Sequence, residues 1–181
     1  MARKIRNAQR GAIHHVVNRG NRRDVIFHKA GDYDAFVDVL TEACARFTMR
    51  LLAFSVMPNH WHLVLWPDRD VSLSAFMQWL TSTHVRRYHA HYEIVGTGHL
   101  YQDRYRNDIC EDERRVLATI RYVEANALAA NLVTSARDWR WSSLWLRANG
   151  DDGGLLSECP ITLPANWATY VDVTTKGREH I

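Results

Sequence analysis

Lysine is almost missing from this chain. It occurs only at Lys4, Lys29 and Lys176, so the 23 basic residues are overwhelmingly arginine. The planar guanidinium fork suits bidentate recognition of phosphate oxygens, although high-GC codon usage produces the same bias, and the formal charge of +3 is too small to prove a polyanionic partner. Cysteine is equally sparse. Cys44, Cys110 and Cys159 lie far apart with no CxxC pair, which argues against a disulfide framework and a thiolate zinc site and fits a reducing cytoplasm. Long apolar runs are lacking too: no stretch approaches the roughly 20 residues that cross a bilayer. The basic start, with Arg3, Lys4, Arg6 and Arg10, is not followed by an apolar run of signal-peptide length, so neither export nor membrane insertion is expected. Internal repeats, low-complexity tracts and an obvious domain linker are also missing.

What remains is globular usage, with 46% hydrophobic and 24% charged residues in 181, enough for one self-folding domain without disulfides. Residues 12–17 read as a first strand, followed by the turn-like Asn18-Arg19-Gly20-Asn21-Arg22-Arg23. Apolar spacing at Phe36, Val39, Leu40 and Ala43 predicts a helix over 32–46. Two β-prone runs, 51–57 and 61–66, flank Pro58-Asn59 and predict a hairpin of adjacent central strands. A second helix is expected over 73–92, with Gly96-Thr97-Gly98 breaking the pattern. Residues 99–110 then read as a last strand or extended loop, and 111–130 as a third helix with acidic residues at its N-terminus. Strand, helix, strand, strand, helix, strand is the split β-α-β order, so the expected fold is α+β, a ferredoxin-like or RRM-like antiparallel sheet with helices packed on it. Residues 1–148 are taken as the working domain. After the tryptophans Trp139, Trp141 and Trp145 and the Gly-Asp-rich break at 150–154, residues 149–181 are expected to be a loosely attached tail.

The chemistry begins at Met57-Pro58-Asn59-His60-Trp61-His62. Strand side chains alternate, so His60 and His62 point to one face, where two imidazoles can share a metal, while Trp61 enters the opposite layer. Taken alone, such a pair is more often two unrelated histidines. In Arg121-Tyr122-Val123-Glu124-Ala125-Asn126, Tyr122 and Asn126 are four apart and share a helix face. Taken alone, they read as a packing tyrosine and an ordinary polar residue. Glu124 is turned away from that face, and Tyr88, Tyr92, Tyr101 and Tyr105 lack an amide four residues on in a predicted helix.

Together these segments resemble the IS200-like family of single-tyrosine transposases of the histidine-x-histidine (HUH) endonuclease type, most of all the repeat-associated (REP-associated) tyrosine transposases. The likeness covers roughly the first 145 residues, through Asn18-Arg19-Gly20-Asn21-Arg22, Met57 to His62, Gly98-His99-Leu100-Tyr101-Gln102-Asp103-Arg104-Tyr105, Arg121 to Asn126 and Trp141-Ser142-Ser143. The resemblance implies that His60 and His62 are metal ligands, Asn126 a third ligand, Tyr122 the nucleophile, and Mg²⁺ or Mn²⁺ the ion. It further implies a folded DNA hairpin beside a single-strand cleavage site, a 5′-phosphotyrosine intermediate, and a cytoplasmic, nucleoid-associated protein. Arg19, Arg22, Arg23, Arg104 and Arg106 are the candidate DNA contacts. The family commonly carries proline after the asparagine, whereas this chain has Ala127, so the helix is expected to continue there. Two readings compete: a domesticated, non-catalytic nucleic-acid-binding protein on the same sheet, and a metal hydrolase that uses water. The sequence favours neither a monomer nor a homodimer.

Overall fold

A computed structural model describes residues 11–96, 98–150 and 154–173. The basic stretch 1–10, Thr97, residues 151–153 of the Gly-Asp break and residues 174–181 of the tail lie outside the described residues. The elements in order are β1 (Ile13–Arg19), a 3₁₀ turn (Asn21–Arg23), α1 (Ala30–Phe47), β2 (Arg50–Met57), β3 (His60–Trp66), α2 (Leu73–His91), β4 (Arg106–Cys110), α3 (Glu113–Ala129), a second 3₁₀ turn (Ala136–Asp138), α4 (Ser143–Asn149) and α5 (Trp167–Asp172). The four strands form one sheet in the order β2-β3-β1-β4, every neighbouring pair antiparallel. This is the α+β architecture expected from the element order.

Alternation along β3 decides how the sheet is covered. Trp61, Leu63 and Leu65 join Phe36, Val39 and Leu40 of α1 and Phe76 and Leu80 of α2 in one apolar layer. Val64, on the other face, packs with Val116, Ile120 and Val123 of α3. Trp61 is completely buried, and truncating so large a side chain costs about 3–5 kcal/mol. The helices start on side-chain caps: Ser72 Oγ accepts from Ala75 N at 3.2 Å for α2, and Asp112 Oδ1 from Arg115 N at 2.7 Å for α3. With Ala127 in place of proline, α3 runs on to Ala129.

Two expectations are corrected, and one left open between two readings is decided. β2 and β3 were expected to be adjacent central strands, but of the two only β3 is central; β2 is one edge of the sheet. The apolar run of β2 misleads because its open edge is covered by the chain after α3. Val56 N donates to Trp141 O at 2.9 Å, Phe54 N to Ser143 Oγ at 3.0 Å, and Ser157 N to Leu51 O at 2.8 Å, protecting an edge otherwise free to pair. Residues 99–105 do not extend β4, because Tyr101 is drawn into the α1/α2 layer. Its hydroxyl accepts from Trp61 Nε1 at 2.9 Å and lies 2.6 Å from His84 Nδ1. The described part of the tail is not loose. Trp167 and Val171 are buried against α3, Trp167 Nε1 donates to Glu124 Oε2 at 2.6 Å, and Asp172 accepts from Ser135 Oγ and Ala136 N at 2.7 and 2.8 Å.

Candidate active site

On β1, His15, Val17 and Arg19 share the α3 face, and the register sets Val17 opposite His62 and Arg19 opposite His60. The β2–β3 hairpin holds His60 at its tip. There the loop after β1 closes tightly: Gly20 N donates to Asn59 O at 2.8 Å, and a side chain at Gly20 would come within 2.4 Å of Asp24 O. Arg22 and Arg23 follow in left-handed backbone, φ 53° and 67°, an uncommon conformation for residues with a Cβ and one that concentrates near functional sites.

Over this face lies α3. The Tyr122 ring stands edge-on to His62 at 5.5 Å between centroids and to His15 at 5.9 Å, while His60 and His62 are 5.0 Å apart. Tyr122 is 41% exposed, although its ring packs against both imidazoles. The helix thus packs on the same sheet face as both histidines, joining two motifs about 60 residues apart. Asn126 is not brought into contact with them: its Nδ2 donates to Tyr122 O at 2.9 Å, leaving the carboxamide oxygen as its remaining acceptor.

The imidazoles are held in the neutral form. Burial, reinforced by Arg19, lowers the His60 pKa to about 4. Burial, followed by the charges of His60, His15 and Arg19, holds His62 well below the ordinary histidine range. His15 is lowered to about 4 by burial, partly opposed by Asp108. Neutral imidazoles with a free lone pair are what metal ligation requires. His60 Nδ1 lies 2.6 Å from Asn59 Oδ1 and His62 Nδ1 lies 3.0 Å from His15 Nε2, so both rings have Nε2 left over. Nε2 of His62 is buried with no hydrogen-bond partner, an orphan whose desolvation is costly unless something else binds it. Among the described residues no group of three or more His, Cys, Asp or Glu side chains could hold an ion. The residues therefore fit an open two-nitrogen site completed by an amide oxygen or by substrate, and not a closed structural zinc site.

The rival tyrosines lie on the other side of the sheet with their hydroxyls engaged, Tyr105 Oη most loosely, 3.4 Å from Ser74 Oγ. Tyr101 is buried in its bond with Trp61, Tyr92 Oη donates to Asp32 at 2.7 Å, and Tyr88 Oη is 3.1 Å from His28 Nε2. Burial pushes all three phenols above their ordinary range. Glu124 is also taken: fully buried, it binds Ser143 Oγ at 2.6 Å, Arg147 Nε at 3.0 Å and Trp167 Nε1, a structural knot under α3.

Of the arginines singled out in the sequence, Arg19 and Arg106 share the histidine face by register. The exposed Arg22 and Arg23 sit in the turn beside the hairpin tip, where Asn59 Nδ2 donates to Arg23 O at 3.0 Å. Arg104 instead lines an open cleft of about 890 Å³ between α2 and residues 98–105, whose walls include neither His60 nor His62. His15 was missed by sequence reasoning. The strand reading of residues 12–17 contained it, but only strand register brings it beside His62.

The family model described as "Transposase IS200 like" matches residues 8–126, a span that includes both histidines, Tyr122 and Asn126. The chain belongs to the IS200-like transposase family. Members of that family are DNA-processing enzymes. No curated protein sequence matches the chain. Among solved structures, the fold is similar to a REP-associated tyrosine transposase bound to a REP hairpin, with TM-score 0.66 and 15% identity over 91% of this chain and 96% of that one. A candidate transposase from Deinococcus radiodurans R1 aligns with TM-score 0.49 and 19% identity over 65% of this chain and 92% of that one. No helix among the described residues is long and apolar enough to cross a membrane.

Proposed function

We propose that this IS200-like transposase is a metal-dependent single-strand DNA endonuclease and strand-transferase that acts at DNA hairpins or palindromic repeats, in the cytoplasm, through a 5′-phosphotyrosine on Tyr122. One observation carries the reading: an exposed tyrosine stands over a buried histidine whose Nε2 has no partner, beside a second neutral histidine on the same strand face. The structural likeness to a transposase bound to a REP hairpin supports hairpin DNA as the substrate.

In this reading His60 and His62 would hold the ion through Nε2, and the Asn126 carboxamide would turn from the Tyr122 carbonyl to add its oxygen as a third ligand. A bound Mg²⁺ or Mn²⁺ supplies Lewis-acid polarisation of the scissile phosphate. Arg19 and Arg106 position the strand on the same face by its phosphates, with Arg22, Arg23 and Arg104 carrying the flanking DNA. A phenol ionises near pH 10, so attack at neutral pH requires water or a base to take the hydroxyl proton. The Tyr122 oxygen then forms the new bond to phosphorus as the bond from phosphorus to the 3′ oxygen breaks, and that oxygen leaves as a 3′-hydroxyl after taking up a proton. The number of phosphate ester bonds is unchanged, so a second 3′-hydroxyl can reverse the step and join DNA without ATP.

The test is a denaturing gel of the protein incubated with end-labelled hairpin DNA carrying a single-stranded flank, with and without Mg²⁺ or Mn²⁺. A protein–DNA adduct that forms only with metal is expected. Hairpin binding without cleavage would favour a domesticated DNA-binding protein, and cleavage without an adduct would favour a water-using hydrolase.

A further inference from the structure

His15 has no part in the reading above, yet its contact with a proposed ligand is close. Its Nε2 lies 3.0 Å from Nδ1 of His62, and the two rings meet edge to edge, nearly coplanar, with centroids 5.2 Å apart and an interplanar angle of 13°. Both side chains are buried. Two neutral imidazoles share this contact through a single proton, which belongs either to His62 Nδ1 or to His15 Nε2. The choice has a consequence at the far side of the His62 ring. If the proton is on His62 Nδ1, the buried Nε2 carries a lone pair. If it is on His15, Nε2 of His62 must carry a proton in a place with no acceptor, a buried donor left unsatisfied.

We propose that His15 is a positioning residue: by accepting the Nδ1 proton of His62 it fixes the tautomer and the orientation in which His62 offers Nε2 to the metal beside Tyr122. The neighbouring ligand is served in the same way. His60 Nδ1 faces Asn59 Oδ1 at 2.6 Å, and a carboxamide oxygen can only accept, so His60 is likewise left with a bare Nε2. Partners of this kind on the far nitrogen orient ligating histidines and raise their basicity. His15 reaches its place by strand pairing: it sits opposite Val64 on β3 and Asp108 on β4, diagonal to His62 on the same face, with the Tyr122 ring closing over both imidazoles.

The inference rests on the metal-site reading for its purpose, but its core, the coupling of two tautomers, is measurable without metal. The experiment uses the full chain in three forms: wild type, His15→Leu, which removes the acceptor, and His15→Gln, whose carboxamide oxygen reaches about as far as the imidazole Nε2. Long-range ¹H–¹⁵N NMR of the histidine rings reads the tautomer of His62, and calorimetric titration with Mn²⁺ reads affinity. We expect His62 as the Nδ1–H tautomer in wild type and His15→Gln, and loss of that preference in His15→Leu. Mn²⁺ affinity should fall about 10–100-fold in His15→Leu and stay within roughly threefold of wild type in His15→Gln. If His15→Leu does not fold, His15→Asn takes its place, because its shorter carboxamide stops short of His62. An unchanged His62 tautomer in the variant lacking the acceptor would overturn the inference, as would loss of Mn²⁺ affinity that Gln does not restore. If wild type shows no Mn²⁺ binding, the metal-site reading fails, and the tautomer spectra alone then decide for or against the role of His15.

Discussion

The two faces of the sheet each carry a buried histidine beside a tyrosine, finished in opposite ways. On the α1/α2 face, His84 Nδ1 and Trp61 Nε1 converge on the Tyr101 hydroxyl at 2.6 and 2.9 Å, Tyr101 is buried, and His84 leaves no buried nitrogen without a partner. On the α3 face, His62 is bonded on one side only, its other nitrogen is an orphan, and the tyrosine above it is exposed. The residue types are the same and the two histidines are equally buried. The difference lies in completion: a network whose donors and acceptors are all used stabilises a core, whereas one that stops short at a solvent-facing phenol is suited to bind something that is not part of the chain.

Four measurements break or sharpen that contrast. The largest effect is expected from Tyr122→Phe, which should abolish the DNA adduct while leaving hairpin affinity almost unchanged, as read by denaturing gel and by fluorescence anisotropy. Undiminished cleavage would move the nucleophile elsewhere. Next, Mn²⁺ at about 100 times its Kd should stabilise the wild type by about 2.7 kcal/mol, and His62→Ala should lose that gain in a thermal melt. Equal stabilisation of both proteins would place the ion away from the α3 face. On the closed face, Tyr101→Phe strands the Trp61 and His84 nitrogens without their shared hydroxyl partner and should cost about 1–3 kcal/mol in urea unfolding, with adduct formation retained at a temperature where the variant is folded. The smallest effect concerns pH. Burial holds His84 at about 4 in the folded state, against an ordinary 6.5, so the unfolded chain takes up its proton first. The stabilising contribution is complete above about pH 6.5 and is lost as pH falls towards 4. Between pH 7 and 5.5 the loss is about 1 kcal/mol for His84, and His84→Gln should flatten the stability profile by that amount.

The sequence carried the elements of the α3 face more clearly than their assembly. Period-two alternation through His60, Trp61 and His62 fixes which side each ring takes whatever the neighbouring strand, and four-residue spacing fixes Tyr122 and Asn126 to one helix face. His15 was illegible because a histidine inside a strand declares its face but not its partner. The partner comes from the register of β1 on β3, the two histidines standing 47 positions apart in the chain. The edge position of β2 was hidden for a similar reason: its apolar run reports burial on both faces, and here the edge is covered by Trp141, Ser143 and Ser157. The ordered tail follows from Trp167 meeting Glu124, a contact between a helix and a chain segment 43 residues on that no local periodicity encodes. Asn126 shows the reverse limit. Sharing a helix face with Tyr122 made it a candidate ligand, yet its amide turns back to the Tyr122 carbonyl, a local alternative always open to asparagine in a helix.

The central claim is that the chemistry belongs to the unfinished face, with Tyr122 as the atom donor. Its most direct test is peptide mapping by mass spectrometry of the protein–DNA adduct formed with Mn²⁺ and a flanked hairpin. The account predicts nucleotide mass on the peptide containing Tyr122 and on no other tyrosine. Nucleotide on Tyr101 or Tyr105, or cleaved DNA with no modified peptide at all, would contradict it.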